Sequence, residues 1–288
     1  MRLIALAALV LVPAIAPAQS DSGYTFFNSA GVNIRYIDRG AGEPVVLLHG
    51  YTGLATRHWG PVIRDLMRDH RVIAIDIRGH GGSDKPRDPG AYGSEMGRDV
   101  IRLLDYLHIP RAHVAGYSLG AAIAGYIVAT APARFATATF VAGAPLHKWT
   151  REDSVSAETM AAELEGPLPF KSLIVGIAPP GQPPSDSTIR AMSQSMAARN
   201  DVRALAALNR GNKALIVSDA QIAKIGIPVF GITGSDDAWG VDALKNLKTL
   251  LPALDLTIID GVSHAGIVTR PELPAKLRAF IDSHRISP

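Results

Sequence analysis

The sequence predicts an α/β protein in which a mostly parallel sheet is covered by helices on both faces. Short continuous apolar runs, such as Val45–Leu48 and Val72–Ile75, alternate along the chain with longer stretches whose apolar residues recur at helical spacing. Continuous apolar runs suit strands that are buried on both faces, as parallel strands are. Repeated alternation of the two kinds of segment implies a parallel sheet flanked by helices.

The composition excludes several kinds of chemistry. The 288 residues contain no cysteine, which excludes a disulfide framework, a cysteine nucleophile, an iron–sulfur cluster and a cysteine-type zinc site. The net charge of +3 is small, and no run of Lys or Arg forms the basic stripe typical of nucleic-acid-binding proteins. The length and the hydrophobic fraction of 47% allow a sizeable core.

The N-terminus has the features of an export signal. A positive charge precedes the apolar stretch Leu3–Val12, and small residues surround a cleavage point after Ala18. The alternative is an uncleaved membrane anchor. However, the apolar run is shorter than the roughly 20 residues that span a bilayer, and Pro13 and Pro17 interrupt it. We therefore expect residues 1–18 to be removed as a signal peptide and the protein to be periplasmic or secreted.

The predicted core begins with a hairpin and continues with alternating strands and helices. Tyr24–Asn28 and Val32–Asp38 form the hairpin. Further strands are predicted at Val45–Leu48, Val72–Ile75, His113–Gly116, Thr137–Ala142, Ile227–Ile232 and Leu256–Ile259. Helices are predicted at Trp59–Met67, Val100–Leu107, Leu119–Ala131, Val241–Leu251 and Pro271–Ser283.

The interval 145–224 interrupts this alternation. Connections in such folds usually take about 2–6 residues, so a segment of this length needs a structure of its own. Helices are predicted within it at Ser156–Leu164 and Thr188–Leu208, separated by a Pro-rich stretch. We expect a helical cap over the sheet, with the core domain formed by residues 19–144 and 225–288.

The strongest functional signal is Gly116-Tyr117-Ser118-Leu119-Gly120, which lies where a predicted strand ends and a predicted helix begins. A nucleophile on a sharp strand-to-helix turn needs small neighbours, because the chain passes very close to itself there. The start of the helix also offers unpaired N–H groups and a partial positive charge. Ser118 is therefore the candidate nucleophile.

A serine hydroxyl is a poor nucleophile until a base removes its proton, and a histidine oriented by a carboxylate can be that base. The chain has nine histidines. His264 follows the last predicted strand in the loop Gly261–Gly266, which can present a side chain over the edge of the sheet. His264 is therefore the candidate base, whereas His58, His108 and most of the others are interpreted as solvated or structural.

The candidate acids follow the predicted strand Ile227–Ile232. Catalytic groups of open parallel sheets gather at the carboxyl ends of the strands, and Asp236 and Asp237 both lie at such an end. On the residues alone, either of the two can be the acid. Asp76 and Asp260 also follow strands and are interpreted as loop anchors.

Together these residues resemble the α/β-hydrolase superfamily. The match covers nearly the whole chain after the signal and rests on His49-Gly50, Asp76–Ser83, the Ser118 turn, the Gly234-to-Asp237 step and the Gly261-to-His264 step. The resemblance implies an eight-stranded, mostly parallel sheet with an inserted helical cap. It also favours Asp237 over Asp236, because the family's acid stands three residues after the glycine. The backbone N–H groups of Leu119 and Tyr51 would then form the oxyanion hole, with His49 shaping the loop.

The resemblance further implies a serine hydrolase that cleaves small to medium carboxylic esters without a metal or an organic cofactor. Its partner would be a small-molecule ester, with no nucleic acid and no stable membrane span. Relatives with an aspartate nucleophile are disfavoured because position 118 is serine. Carbon–carbon bond hydrolysis and perhydrolysis on the same three residues are alternatives, a peptidase is another, and a non-catalytic receptor for small ligands is an alternative of a different class.

The walls of the substrate pocket are the least defined part of the prediction. Trp149, Phe170 and Met192 lie in the predicted cap, and Trp239 follows the candidate acids. These four large apolar residues are the candidate pocket walls. Ordinary packing between cap and core is an equally open interpretation for the three cap residues.

Overall fold

The computed structural model describes residues 23–178, 181 and 183–286. The predicted signal peptide, residues 1–18, lies outside these described residues. Within the described ranges, no helix is both long enough and apolar enough to cross a membrane.

The strands of the described chain form one eight-stranded sheet. They are β1 (Tyr24–Ser29), β2 (Val32–Arg39), β3 (Glu43–Leu48), β4 (His70–Ile75), β5 (Ala112–Tyr117), β6 (Phe135–Val141), β7 (Val229–Gly234) and β8 (Asp255–Ile259). Their order is β1-β2-β4-β3-β5-β6-β7-β8, with β2 antiparallel to β1 and β4 and the remaining neighbours parallel. The predicted eight-stranded, mostly parallel sheet is confirmed.

Helices cover both faces of this sheet. The α-helices of the described chain are α1 (Ala55–Leu66), α2 (Ser94–Tyr106), α3 (Leu119–Thr130), α4 (Arg151–Leu164), α5 (Lys171–Gly176), α6 (Asp186–Ala197), α7 (Val202–Gly211), α8 (Asp219–Ala223), α9 (Ala238–Leu250) and α10 (Glu272–Asp282). In β3, Val46 and Leu48 pack with α2 and α3, whereas Val45 and Leu47 pack with α1 and α10 on the other face. Because alternate residues of each strand face opposite sides, both sides of the sheet need an apolar cover.

The chain between β6 and β7 forms α4–α8, which we call the inserted helices. The predicted helix Thr188–Leu208 is wrong in one respect, because the structure divides it into α6 and α7. The Asp201 carboxylate accepts a hydrogen bond of 3.0 Å from the Ala204 N–H, which caps the start of α7 and ends the preceding helical run. The short helix α5 was not predicted at all. The boundaries 145–224 of a separate cap domain stay a prediction.

Candidate active site

Three polar side chains from distant parts of the sequence meet at one edge of the sheet. Ser118 follows β5, Asp237 follows β7 and His264 lies in the loop after β8. The carboxyl ends of parallel strands share an edge, so residues that follow different strands come together there.

Ser118 occupies a sharp turn between β5 and α3. Its φ of 53° and ψ of −113° are values that residues with a side chain rarely adopt. The glycines on either side make this turn possible. A Cβ atom on Gly116 would lie 2.1 Å from the carbonyl oxygen of Gly120, and one on Gly120 would lie 2.1 Å from the carbonyl oxygen of Leu48. Any larger residue at either position would collide with backbone, which is the physical reason for the spacing of the motif.

His264 connects the serine to the acid. Its Nε2 lies 3.1 Å from Ser118 Oγ, and its Nδ1 lies 2.9 Å from Asp237 Oδ2. Because Nδ1 faces a carboxylate, it carries the proton, and Nε2 is left to accept from the serine hydroxyl. The Tyr117 hydroxyl donates to the His264 carbonyl oxygen at 3.0 Å and so holds the loop in place.

Asp237 is buried and accepts several hydrogen bonds. Besides His264, the Thr233 hydroxyl donates to Oδ2 at 3.0 Å, and the Gly240 N–H donates to Oδ1 at 3.0 Å as the cap of α9. Burial opposes ionisation, but the bond and charge of His264 together with the other donors outweigh it, so the pKa of Asp237 lies below its ordinary value. The carboxylate is therefore ionised at neutral pH and can stabilise a protonated imidazole.

The other acidic residues near the strand ends have different partners. Asp236 accepts from the Ser235 hydroxyl at 3.2 Å, and Asp260 is a second acceptor for that hydroxyl, also at 3.2 Å. Asp76 accepts from the backbone N–H of the first residue of α1 at 2.8 Å and from that of Gly82 at 3.0 Å. Asp76 therefore ties two loops together, and the aspartate that contacts the histidine is Asp237.

The backbone groups predicted to form an oxyanion hole lie on two loops beside Ser118. Leu119 is the first residue of α3, and the N–H groups of a first helical turn have no acceptor within the helix. Tyr51 follows β3, the neighbour of β5 in the sheet, and lines a cavity together with Ser118 and Leu119. Both N–H groups therefore belong to segments that border the serine.

Two histidines hold the peptide groups on either side of Gly50, which precedes Tyr51. His49 Nε2 accepts from the Ile77 N–H at 3.0 Å, so its Nδ1 carries the proton and donates to the Gly50 carbonyl oxygen at 2.8 Å. His58 Nδ1 accepts from the Gly50 N–H at 3.1 Å. The N–H and the carbonyl of Gly50 are thus both fixed by imidazole rings.

A third histidine, His80, packs against the same loop, with its ring 5.0 Å from that of His49. Burial lowers the pKa of His58 and His80 to about 4 each, and it lowers the pKa of His49 well below the ordinary range. The three rings, which we call the loop histidines, are therefore neutral at pH 7. In the part of the chain that the structure describes, no three histidine or acidic side chains are arranged to bind a metal ion.

Two cavities open beside Ser118. The histidine-side cavity, of about 480 Å³, is lined by His264, Asp237 and residues of α5. The oxyanion-side cavity, of about 270 Å³, is lined by Tyr51, Leu119, Asn209 and residues of α4. The two cavities share the wall residues Ser118, Ser156, Met160, Leu173 and Trp239.

The four residues proposed as pocket walls have different positions. Trp239 lines both cavities, with its ring 5.6 Å from that of His264, and Trp149 lines the oxyanion-side cavity. Phe170 instead has an exposure of 2% and packs in the apolar core, and Met192 is exposed to solvent on α6. Neither Phe170 nor Met192 lines either of the two cavities.

Sequence reasoning missed most of the actual walls. Met160, Leu173 and Asn209 line the cavities because α4, α5 and α7 fold over the sheet edge. No local pattern marks these residues, since their position depends on how the inserted helices pack.

Comparison with known proteins identifies the fold. A family profile described as an alpha/beta hydrolase fold matches residues 43–171, which include the Ser118 turn. Together with the sheet and its flanking helices, this match shows that the chain has an α/β-hydrolase fold.

Several known proteins are similar to parts of this chain. The dihydrolipoyllysine-residue acetyltransferase component of the acetoin cleaving system of Pseudomonas putida is 37% identical over 115 residues, which are 39% of this chain and 30% of that protein. Esterase YbfF of Escherichia coli is 40% identical over 78 residues, 27% of this chain and 30% of the esterase. The chain spans less than half the length of the first curated relatives that it matches.

A solved structure supports the fold over a longer stretch. A structure from work on the carboxylesterases of Nitrososphaera gargenis superposes with a TM-score of 0.75 at 22% identity. The superposition covers 90% of this chain and 98% of the other. At this level of identity the likeness concerns the α/β-hydrolase fold alone.

Proposed function

We propose that this α/β-hydrolase is a serine hydrolase that cleaves small to medium carboxylic esters through an acyl-enzyme. One observation carries the proposal: His264 contacts Ser118 Oγ through one ring nitrogen and the buried Asp237 carboxylate through the other. A histidine held in this way can take the proton of the serine hydroxyl while the serine oxygen attacks a carbonyl carbon.

The first half of the reaction forms the acyl-enzyme. Ser118 Oγ bonds to the acyl carbon as its proton passes to His264 Nε2, and the carbonyl oxygen becomes an oxyanion facing the N–H groups of Leu119 and Tyr51. The tetrahedral intermediate collapses when the carbon–oxygen bond to the alcohol breaks. His264 returns its proton to the departing oxygen, while Asp237 stabilises the imidazolium in between.

The second half hydrolyses the acyl-enzyme. A water molecule gives its proton to His264 Nε2 as its oxygen bonds to the acyl carbon, and the same two N–H groups stabilise the second oxyanion. Collapse of this intermediate returns the proton to Ser118 Oγ and releases the acid. No step requires a further reactant.

The two cavities fit the two parts of an ester. The departing alcohol oxygen must lie within reach of His264 Nε2, so the alcohol belongs in the histidine-side cavity, which His264 lines. The acyl chain then occupies the oxyanion-side cavity, beside the residues that bind the carbonyl oxygen. The moderate volumes, about 480 and 270 Å³, favour small to medium esters over long-chain lipids.

The charge of the cavity walls favours an uncharged substrate. Among the described residues that line the two cavities, none is Lys or Arg, whereas Asp153 and Asp236 are acidic. A substrate that carries a carboxylate would have no cationic partner there and would meet negative charge. We therefore favour a neutral ester over a substrate that carries a carboxylate.

Replacement of the nucleophile is the direct test. With p-nitrophenyl esters of increasing acyl length, we expect Ser118→Ala to lower kcat by about 10³-fold or more, because the acyl-enzyme can no longer form. Ser283→Ala makes the same change at an exposed position at the end of α10 and should leave the kinetics unaltered. Steady-state release of p-nitrophenol is the measurement.

Two outcomes would contradict the proposal. Turnover retained in the Ser118→Ala variant would show that another group is the nucleophile. Tight binding of an apolar ester without turnover by the unchanged protein would favour a receptor.

We also propose that the enzyme acts outside the cytoplasm, on the strength of the signal-like residues 1–18. The protein recovered from a periplasmic or culture fraction should then begin at Gln19. Mass spectrometry of the intact chain measures this directly, and a full-length chain confined to the cytoplasm would contradict it.

A further inference from the structure

The oxyanion-side cavity has two polar atoms in its wall that lack partners. Asn209, on α7, has an exposure of only 4%, and among the described residues its Nδ2 makes no full hydrogen bond. Asn212 follows one helical turn later, and its Oδ1 is also buried without a partner. Both residues line the cavity. Buried polar atoms are nearly always paired in folded proteins, so an unpaired donor and an unpaired acceptor beside an open cavity call for an explanation.

Packing does not explain why these residues are amides. The preceding residues of α7, 204–208, are Ala or Leu and are all buried. A leucine at position 209 would have a similar volume and would not bury an amide. The position therefore carries a polar group that the fold itself does not require.

The surrounding side chains do not satisfy the two amides either. The Asn209 amide interacts weakly with the Tyr51 hydroxyl. That hydroxyl donates to the Leu205 carbonyl oxygen at 3.4 Å, and within the described residues no contact to Asn209 Nδ2 has the distance and geometry of a full hydrogen bond. Much of the remaining wall is apolar, including Leu119, Ala122, Ala144 and Leu146. Both amides line this cavity, so a group that enters it is the candidate partner for them.

We propose that Asn209 and Asn212 bind a hydroxyl group on the acyl chain of the substrate, so that the enzyme prefers esters of hydroxy acids. The proposal rests on the proposed function, because it places the acyl chain in the oxyanion-side cavity. A hydroxyl accepts from Asn209 Nδ2 and donates to Asn212 Oδ1, which pairs both atoms. A carbonyl can only accept and would leave Asn212 Oδ1 unpaired. A methyl group would leave both amides unpaired.

The preference for a hydroxy ester can be large, because an ester without the hydroxyl leaves the two amides unpaired. A site built to hydrogen-bond a substrate hydroxyl rejects the analogue that lacks it, since the buried polar groups of the site are then left without partners. The acidic Asp153 in the same wall opposes a carboxylate at this place. The selected acyl group is therefore polar and uncharged.

The experiment compares esters that differ only in this group. The p-nitrophenyl esters of 2- and 3-hydroxy acids are each assayed beside the ester in which a methyl group replaces the hydroxyl. We expect the unchanged enzyme to show a kcat/KM at least about tenfold higher for the hydroxy ester at one of the two positions. Asn209→Leu should bring that ratio close to one.

Two further variants separate recognition from general damage. Asn212→Leu should lower the same ratio, because it removes the second partner of the hydroxyl. Asn246→Leu, the same change at an exposed site on α9, should keep both the ratio and the activity. If Asn209 acted only by supporting Tyr51 or the fold, the kcat/KM of both esters would fall together and the ratio would persist, which would overturn the proposal. Absence of any hydroxy preference in the unchanged enzyme would overturn it as well.

Failure of the ester function itself gives a different result. In that case the unchanged protein hydrolyses none of the esters, and binding is measured instead by calorimetry with the Ser118→Ala variant. Tighter binding of a hydroxy ester than of its methyl analogue, lost in the Ser118→Ala, Asn209→Leu double variant, would support the site without the reaction. Equal binding of both esters would overturn the site.

Discussion

The histidines on the two sides of Ser118 have opposite surroundings. His264 faces a serine hydroxyl through one ring nitrogen and a carboxylate through the other, and it lines a cavity. Of the loop histidines, His49 and His58 bond to backbone groups, and burial lowers the pKa of all three.

This difference shows that the partners of a histidine, more than its distance from the nucleophile, decide what it can do. A ring between a hydroxyl and a carboxylate can gain and lose a proton during a reaction. A ring that is buried and bonded to backbone stays neutral and holds the loop in one geometry. In our proposal, His264 moves protons and the loop histidines position the N–H group that stabilises the oxyanion.

The largest expected effect on activity comes from neutralising the Asp237 carboxylate, which contacts His264. Asp237→Asn should lower kcat by about 10³- to 10⁴-fold with little change in KM, because an amide stabilises neither the required tautomer nor the imidazolium. Steady-state kinetics with a p-nitrophenyl ester measures the effect. Asp236→Asn alters a carboxylate that is hydrogen-bonded to Ser235, and it should lower kcat by less than about tenfold. A larger loss at position 236 than at 237 would show that our assignment of the acid is wrong.

The loop histidines predict a loss of stability in acid. In the unfolded chain a histidine has a pKa of about 6.5, whereas in the fold the pKa of His58 and of His80 is about 4. Between these values the unfolded chain binds more protons, so the free energy of unfolding falls as the pH falls from about 6.5 towards 4. His58 and His80 together should make the free energy of unfolding about 4 kcal/mol lower at pH 5 than at pH 7.

Urea unfolding at a series of pH values measures this loss, and His58→Phe provides the comparison. The variant has one fewer group to protonate. Between pH 7 and pH 5 its free energy of unfolding should therefore fall by about 2 kcal/mol less than that of the unchanged protein. His108→Asn removes an exposed histidine and should keep the slope of the unchanged protein. Parallel curves for the unchanged protein and His58→Phe would mean that His58 is not held neutral by the fold.

The smallest expected effect is on the chemistry that depends on the loop. His58→Phe keeps a ring against Tyr117, which lies 4.9 Å from the His58 ring, but it removes the acceptor of the Gly50 N–H. Without this bond the Tyr51 N–H is positioned less firmly, so kcat should fall by about tenfold. KM should change little, because the oxyanion develops only after the substrate has bound. A rise in KM with unchanged kcat would indicate that the loop binds the ground state instead, and the comparison between the two groups of histidines would fail.

The sheet could be predicted from the sequence because its signals are local. The apolar runs of β3 and β4, the first bounded by Pro44 and Gly50 and the second closed by Asp76, mark buried strands without reference to the rest of the chain. Where tertiary contacts or helix caps decide a boundary, the predicted boundary differs from the observed one by two or three residues. The strand predicted at Ile227–Ile232 is observed at Val229–Gly234, because Pro228 has no N–H for the sheet. The last but one helix begins at Ala238, three residues earlier than predicted, because the Asp237 side chain caps it.

The candidate site divides in the same way. Ser118, Asp237 and His264 follow strand ends, so sequence position alone indicates where they lie. By contrast, the sequence does not reveal that Phe170 packs in the core, that His58 bonds to the Gly50 N–H, or that Asn209 faces a cavity. Each of these depends on which helix crosses which loop, and that is set by packing over long distances in the chain.

The backbone of Ser118 also has a consequence for the evolution of the protein. At a φ of 53° and a ψ of −113°, glycine would be less strained than serine, because glycine has no Cβ to crowd the backbone. In our proposal, glycine would abolish the reaction. Selection for activity and selection for a more stable fold therefore oppose each other at this one position. The surrounding sheet and helices must be stable enough to tolerate the least relaxed residue of the turn.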